Sequence, residues 1–360
     1  MFFTILLFLL ILSVLVIAHE WGHYAAARKM GMGVEEFGWG FPPRLFARKG
    51  KDGMLWTVNA IPLGGFVRIR GEGIDDRDAP DSFAKKSVPA RLFVLLAGVG
   101  MNLVVAVVLL SIGFAVGIPG IVEGGVDANA TIESQAAMVT DVLPDSPAAQ
   151  AGITAGDTIT SVDGTSYNDA TAIREALQHP GDDGKFDIKL LRGGEEQTIS
   201  VIPAYIASID RMGIGAGILE TGVVRYPWYV APVKGVEATA QLTSAVVMGM
   251  YDLIAGLVTG HGMSADVSGP VGIAKMTGEV ARMGFAYLLQ FAAMLSINLA
   301  VLNALPFPAL DGGRVVFVHL EVIRRKPASV KVEAIVHNTG FALLMLLVVL
   351  VTYRDIVHLF

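Results

Sequence analysis

Three ionisable residues lie within one short segment near the start of the chain. His19 and His23 are four positions apart, and Glu20 follows the first histidine. On a helix, residues at i and i+4 share one face, so both imidazoles can bind one zinc ion. Glu20 lies beside them, where a carboxylate can take a proton from water. The spacing therefore predicts a zinc site for hydrolysis, with His19 and His23 as ligands and Glu20 as the catalytic residue.

A hydrolytic zinc site needs a third protein ligand and an open position for water. Residues 303–314 offer one carboxylate, Asp311, after two prolines that end an apolar run, Pro306 and Pro308. We expect Asp311 to be the third ligand. The alternative is a solvated Asp in a proline-rich turn. The chain has no cysteine, so thiolate ligands, disulfides and cysteine nucleophiles are excluded.

The elements that carry these residues are predicted to lie in a lipid bilayer. Of the 360 residues, 53% are hydrophobic and 17% are charged, and the mean hydropathy is +0.58. These figures exclude an ordinary soluble enzyme. The net charge of −6 argues against a nucleic-acid partner. Four runs are long enough to span a bilayer, at residues 2 to about 27, 92–118, 285–305 and about 335–353.

The distribution of basic residues predicts the orientation of these spans. Lys and Arg are dense between residues 28 and 91 and between 314 and 331, so both loops are expected in the cytoplasm. The first and third spans then end on the same side, which brings His23 and Asp311 together. A further segment, residues 242–259, contains Asp252 and several small residues. We expect it to be interfacial, because a fifth span would place Asp311 on the opposite side.

With both motifs in place, the chain resembles the site-2 protease family of intramembrane zinc metalloproteases, and within it the bacterial RseP-type branch with one PDZ domain. The resemblance rests on His-Glu-Trp-Gly-His at 19–23 and Asn-x-x-Pro-x-Pro-x-x-Asp-Gly at 303–312. Residues 38–41, 61–67, 268–274 and 351–356 match the branch as well. The second span departs from the family's usual Ala-Gly-Pro-x-x-Asn, since Val99 stands in place of the proline.

The resemblance implies one Zn²⁺ per chain and a multi-pass protein of the bacterial inner membrane. It implies substrates that are single-span membrane proteins, such as anti-sigma factors or remnant signal peptides, cut in or near the transmembrane segment. It also implies that Asn303 and Pro306 bind the substrate.

The loop of about residues 28–91 contains a segment, residues 54–70, that is predicted as a hairpin of short strands around Pro62, Gly64 and Gly65. By resemblance it would be a membrane-associated re-entrant element in which Gly64 and Gly65 help to hold an unwound substrate. Open strand edges cannot face lipid, so it must pack against protein or line a wet cavity. A hairpin on the cytoplasmic surface is the alternative.

The organisation predicted is thus a multi-pass α-helical membrane protein with an inserted α+β domain. Residues 1–118 hold the first two spans, 119–230 an extracytoplasmic PDZ-like domain, 231–284 an amphipathic interfacial linker, and 285–360 the last two spans. In the inserted domain, Met212, Gly213 and Ile214 are expected to receive peptide C-termini. A passive size filter is the alternative role of this domain.

Two other kinds of protein remain open from the residues alone. One is a membrane scaffold that binds peptides through the PDZ-like domain without turnover. The other is a metal transporter, because His and Asp inside a membrane can form an ion path. The compact cluster of His19, Glu20 and His23 favours an enzyme over both.

Overall fold

The computed structural model describes residues 2–73, 75–122, 127, 129–167, 169–178, 184–206, 210–260, 269–326 and 329–357. The chain divides into a helical unit, Met1–Ile112 with Pro232–Phe360, and a sheet unit, Gly113–Ala231. In the described residues the helices are α1 (Phe2–Lys29), α2 (Val88–Val116), α3 (Pro147–Gln150), α4 (Ala170–Ala176), α5 (Ala231–Thr259), α6 (Pro270–Met283), α7 (Phe285–Ala304), α8 (Asp311–Arg324) and α9 (Val330–Val357). The strands are β1 (Val34–Lys49), β2 (Leu55–Ile69), β3 (Ile118–Ile121), β4 (Thr131–Val142), β5 (Thr158–Val162), β6 (Thr165–Ser166), β7 (Phe186–Arg192), β8 (Glu195–Val201), β9 (Ala204–Ile206), β10 (Arg211–Gly213) and β11 (Ala216–Arg225).

Four of the described helices are long and apolar enough to cross a membrane, namely α1, α2, α7 and α9. They coincide with the four runs predicted from the sequence, and the chain is a membrane protein. With 28 residues, α1 is about 42 Å long, which exceeds the thickness of the hydrocarbon core of a bilayer. Helix α2 ends at Val116, and Gly117 follows it with a φ of +106°, which favours glycine after a helix C-terminus.

Helix α5 contains residues 242–259, the segment expected to be interfacial. It is a single helix of 29 residues. Near its start, Gly235 packs against Val107 and Ser111 of α2. Further along, Val247 lines an apolar cavity together with Val99 of α2. Helix α5 therefore runs along α2, because small residues at the contact let the two backbones approach.

The contacts of α6 show where the chain lies before α7 begins. Gly269, at the start of α6, lies against Thr352 and Asp355 near the end of α9. Gly278 in the same helix lies against Thr4 at the start of α1. The chain has thus returned to the end of the helical unit where α1 begins before α7 starts. This return allows α7 to end, and α8 to begin, at the end where His23 lies.

Asp355 caps the N-terminus of α6 from another helix. Its carboxylate accepts hydrogen bonds from the backbone N–H groups of Gly269, at 3.1 Å, and Gly272, at 2.7 Å. Gly269 itself offers no side-chain cap. We expect Asp355→Ala to destabilise α6 by about 0.5–2 kcal/mol, because its first N–H groups lose their acceptors.

Amide hydrogen exchange of residues 271–274 measures this effect. The exchange should be faster in the Asp355→Ala variant than in the wild type. The matched control is Glu279→Ala, which removes only an exposed ion pair with Lys275, at 4.0 Å, from the same helix. Equal exchange rates in the Asp355→Ala variant and the wild type would contradict the capping role.

The two long strands of the helical unit form a more complex arrangement than the predicted hairpin. Residues 55–69 form one long strand, β2, and its two halves do not pair with each other. Instead β1 lies between them, so that Phe37 pairs with both Trp56 and Val67. The hairpin predicted within residues 54–70 was therefore wrong in its pairing, because β1 supplies the partner for both halves.

This small sheet lies against the middle of α1. The Ser13 hydroxyl donates a hydrogen bond to the Pro62 carbonyl, at 3.4 Å. Ser13 is roughly two turns of helix further into the apolar run than Glu20. The part of the sheet around Pro62 thus lies beside the apolar part of a candidate membrane span.

The sheet unit contains an antiparallel sheet in the strand order β3-β11-β4-β5-β7-β8, with β6 paired to β5, and a separate pair of β9 and β10. Turns at Asp163-Gly164 and Gly193-Gly194, where all four residues have positive φ, connect β5 to β6 and β7 to β8. Fully buried apolar side chains from the sheet and α4 form its core: Ile159, Ile173, Phe186, Ile188 and Leu190.

Candidate metal centre

Helix α1 presents both predicted histidine ligands on one buried face. His19 and His23 are 6% and 7% exposed. Their Nε2 atoms are 3.1 Å apart, as the i and i+4 spacing predicted. Both rings thus direct the same nitrogen towards one point.

Asp311 completes this cluster from a distant part of the chain. It is the first residue of α8, and its Oδ2 lies 3.0 Å from His19 Nε2 and 3.2 Å from His23 Nε2. The three ligand atoms lie within 4.8 Å of one another. Burial alone would raise the pKa of Asp311, but its hydrogen bonds with His19 and His23 lower that pKa well below its usual range. A carboxylate that binds a metal must be ionised, and this shift favours the ionised form.

The loop before Asp311 is fixed by α9. The Ala309 N–H donates a hydrogen bond to His337 Nδ1, at 2.9 Å, and Ala309 has a positive φ of +79°. Pro308 packs directly on Gly340, where any side chain would collide with the loop backbone. These contacts set where α8 begins and hence where the Asp311 carboxylate lies.

Two groups in α2 contact the outer nitrogens of the histidines. His23 Nδ1 lies 2.8 Å from the carbonyl oxygen of Val94, and His19 Nδ1 lies 3.3 Å from the Asn102 amide. A ring N–H bonded to a carbonyl leaves Nε2 as the free lone pair, which is the state that binds a metal. Neither contact was predicted from the sequence. A polar residue such as Asn102 inside an apolar span was the available signal.

Gly98 of α2 forms the wall beside the two imidazoles. A Cβ atom added at Gly98 would lie 2.7 Å from His19 Nε2 and would also collide with His23 Nε2. Two imidazoles and a carboxylate form a donor set suited to zinc, and the glycine leaves room at the convergent nitrogens. The residues present therefore fit a zinc ion.

Gly98→Ala is expected to weaken zinc binding by about 5- to 150-fold, because overpacking costs about 1–3 kcal/mol at the site. Gly100→Ala in the same helix is the matched control, since the space around Gly100 is open. Chelator competition on both purified variants measures the two affinities. Equal affinities in the two variants would show that the wall at Gly98 does not constrain the ligands.

Glu20 lies next to the ligands and faces the small sheet. It is half-buried in α1 between the two histidines. Gly65 of β2 comes so close that a Cβ atom there would lie 3.5 Å from Glu20 Cγ. The predicted residue Gly65 is therefore adjacent to the candidate base. Gly64, with φ of +113°, lies instead against the Phe41 ring.

The other predicted substrate residues of the helical unit lie on the segment that leads to Asp311. Asn303 is half-buried in the last turn of α7, and Pro306 is exposed in the loop that follows. Both precede Asp311 by fewer than ten residues.

The remaining predicted residues lie in the sheet unit, beside a groove of about 970 Å³. Met212 and Gly213 belong to β10, and Met212 is exposed. Ile214 is buried in the core, so its side chain is not available to a ligand, and its backbone lines the groove. The groove runs between α4 and the first residues of β11.

Comparison with known proteins gives consistent matches over the whole chain. The profile of peptidase family M50 matches residues 7–347. Zinc metalloprotease RasP of Oceanobacillus iheyensis is 32% identical, with 99% of each chain covered. A candidate zinc metalloprotease of Clostridium perfringens is 35% identical, with 97% of each chain covered. A PDZ domain of an SdrC-like protein from Listeria monocytogenes aligns with 23% of this chain and 86% of its own chain, at 23% identity and a TM-score of 0.21.

Proposed function

Since the chain belongs to peptidase family M50 and is an intramembrane zinc metalloprotease of the site-2 type, we propose that His19, His23 and Asp311 hold its zinc, one ion per chain. The proposed reaction is hydrolysis of a peptide bond in or beside the transmembrane segment of a single-span membrane protein. The observation that carries this proposal is the convergence of the three ligand atoms within 4.8 Å next to Glu20.

Glu20 is the proposed general base and acid. Zinc at this position supplies Lewis-acid polarisation of the scissile carbonyl and of the attacking water. The Glu20 carboxylate accepts a proton from that water and then delivers it to the leaving amide nitrogen. The Val94 carbonyl holds the His23 ring in place during this transfer.

The small sheet is proposed to present the substrate to this centre. A transmembrane helix shields its own peptide bonds, so a substrate must unwind before it can be cut. The strand β2 reaches Glu20 at Gly65 and can pair with an extended segment. In the part of the sheet near Pro62, large apolar side chains are exposed, which suits a surface inserted in lipid: Phe41, Leu45, Phe46 and Ile61. Asn303 and Pro306 are proposed to contact the backbone of the unwound segment.

The sheet unit is proposed to bind peptide C-termini as a PDZ-like domain. In the described residues, β3 pairs with β11 only over residues 221–224, so residues 216–219 offer an edge beside the groove. A peptide strand would take the place of Arg174, which now donates to the Ile218 carbonyl at 3.3 Å. The backbone of Met212, Gly213 and Ile214 would receive the terminal carboxylate.

Peptides with a free C-terminus are expected to bind this domain at least about tenfold more tightly than the same peptides with an amidated end, because the carboxylate supplies the charge that the backbone N–H groups of residues 212–214 would recognise. Fluorescence polarisation on the full-length protein measures the two affinities. Equal and weak binding of both forms across a peptide library would favour the size-filter role.

The bacterial inner membrane is the proposed location, with the sheet unit outside the cytoplasm. The support is the concentration of Lys and Arg in residues 28–91 and 314–331, which favours a cytoplasmic position for both loops and hence for the metal centre.

The test of the proposed reaction is cleavage of a tagged single-span protein by the purified wild-type protein in liposomes. We expect a cut that a chelator abolishes and added zinc restores, and mass spectrometry of the products should place it within or next to the span. No cut in any of several substrates with helix-weakening residues would contradict the proposed reaction. Retained peptide binding would then indicate a scaffold.

A further inference from the structure

Asn102 is a buried polar residue in the middle of α2 whose side chain contacts the metal centre. It is 0% exposed. Its Nδ2 atom lies 3.3 Å from His19 Nδ1, and among the described residues its Oδ1 atom has no hydrogen-bond partner. A buried amide oxygen without a partner is costly, so its orientation needs an explanation.

The chemistry of the histidine ligand provides that explanation. His19 directs Nε2 at Asp311 and His23. A neutral imidazole that offers the Nε2 lone pair to a metal carries its proton on Nδ1. Nδ1–H is then a donor and faces Nδ2 of Asn102, which is also a donor. Two donors cannot form a hydrogen bond, so an acceptor must face Nδ1 when zinc is bound.

Rotation of the amide by about 180° supplies this acceptor. The oxygen and nitrogen of an Asn amide have nearly the same shape, and their assignment follows from the hydrogen bonds available to them. After rotation, Oδ1 faces His19 Nδ1 and gains the partner that it lacks, while Nδ2 takes the former place of Oδ1. The backbone of Asn102 stays where it is, because its carbonyl accepts a hydrogen bond from Ser296 of α7, at 2.8 Å.

We propose that Asn102 is a positioning residue that accepts a hydrogen bond from His19 Nδ1–H through Oδ1 and so fixes this ring for zinc binding. The Val94 carbonyl accepts a hydrogen bond from His23 Nδ1–H in the same way, at 2.8 Å. Helix α2 thus supplies an acceptor for each histidine, one from its backbone and one from a side chain. Such partners of metal-bound histidines fix the tautomer and increase the basicity of the ligand.

This inference rests on the proposed zinc centre, so its test measures zinc affinity apart from proteolysis. The full-length protein is purified in detergent, and its zinc affinity is determined by competition with a chromophoric chelator. Asn102→Leu removes the acceptor with little change of volume, and Asn102→Asp keeps acceptor oxygens but has no donor. Ser296→Ala is the matched control, because it changes the buried contact of Asn102 without touching the amide.

We expect the Asn102→Leu variant to bind zinc about 10- to 100-fold more weakly than the wild type. The Asn102→Asp variant should bind at least as tightly as the wild type, and the Ser296→Ala variant should be unchanged. With cobalt in place of zinc, the visible spectrum should change in the Asn102→Leu variant and stay the same in the Ser296→Ala variant.

The Asp variant decides between an acceptor and a donor at this position, even if the Leu variant does not fold. If the Asn102→Asp variant binds zinc weakly while the wild type binds it tightly, the inference is overturned, and the proposed zinc centre is unaffected. Wild-type affinity in the Asn102→Leu variant would overturn it as well. If the wild type itself binds no zinc, the proposed centre fails, and the inference fails with it.

Discussion

Replacing Glu20 with Gln is expected to reduce proteolysis by about 10²- to 10⁴-fold, the usual contribution of a general base, while the zinc content stays at the wild-type level. Gln has nearly the same size as Glu, but its amide cannot accept a proton from water. Glu20 lies beside the three proposed ligands without being one of them, since the converging ligand atoms belong to His19, His23 and Asp311.

The measurement combines cleavage of a tagged single-span substrate with metal analysis of the same purified protein. The Glu20→Asp variant is a second comparison. It keeps the carboxylate, but its side chain is shorter by one methylene group. Its activity should lie between that of the wild type and that of the Glu20→Gln variant. Wild-type cleavage by the Glu20→Gln variant would remove Glu20 from the chemistry, and loss of its zinc would make Glu20 a ligand.

Replacing Asp311 with Ala is expected to weaken zinc binding by more than about 100-fold and to abolish proteolysis. Loss of a partner outside the ligand set costs about 10- to 100-fold in affinity, and loss of a ligand should cost more. The carboxylate contacts both histidines, at 3.0 and 3.2 Å, so its removal also leaves two buried imidazoles without their common partner.

The zinc content of this variant distinguishes it from the Glu20→Gln variant, since both should be inactive but only the Asp311→Ala variant should lose the metal. His319→Ala is the matched control in α8, because His319 is exposed and, among the described residues, bonds only to the Val315 carbonyl of its own helix, 2.8 Å away. The control should keep both zinc and activity. Unchanged zinc stoichiometry in the Asp311→Ala variant would exclude Asp311 from the ligand set.

The sequence by itself determined the parts of this protein that depend on local patterns. The family resemblance is confirmed by the match to peptidase family M50. The predicted spans coincide with four long apolar helices, because a run of apolar residues both favours a helix and sets its length in lipid. His19 and His23 share a face because the helical period alone brings i and i+4 together.

Apart from the predicted approach of Asp311 to the two histidines, contacts between distant segments were decided only by the tertiary structure. Asn102 is 83 residues from His19, and no local pattern states which residue of α2 faces that ring. The answer depends on how close α1 and α2 approach, which the small residues Gly22 and Gly98 set at their contact. The placement of β1 between the halves of β2, and of α5 along α2, likewise depends on packing partners far away in the sequence. A one-dimensional pattern shows which face of an element is apolar, whereas side-chain volumes on both partners decide which residues meet.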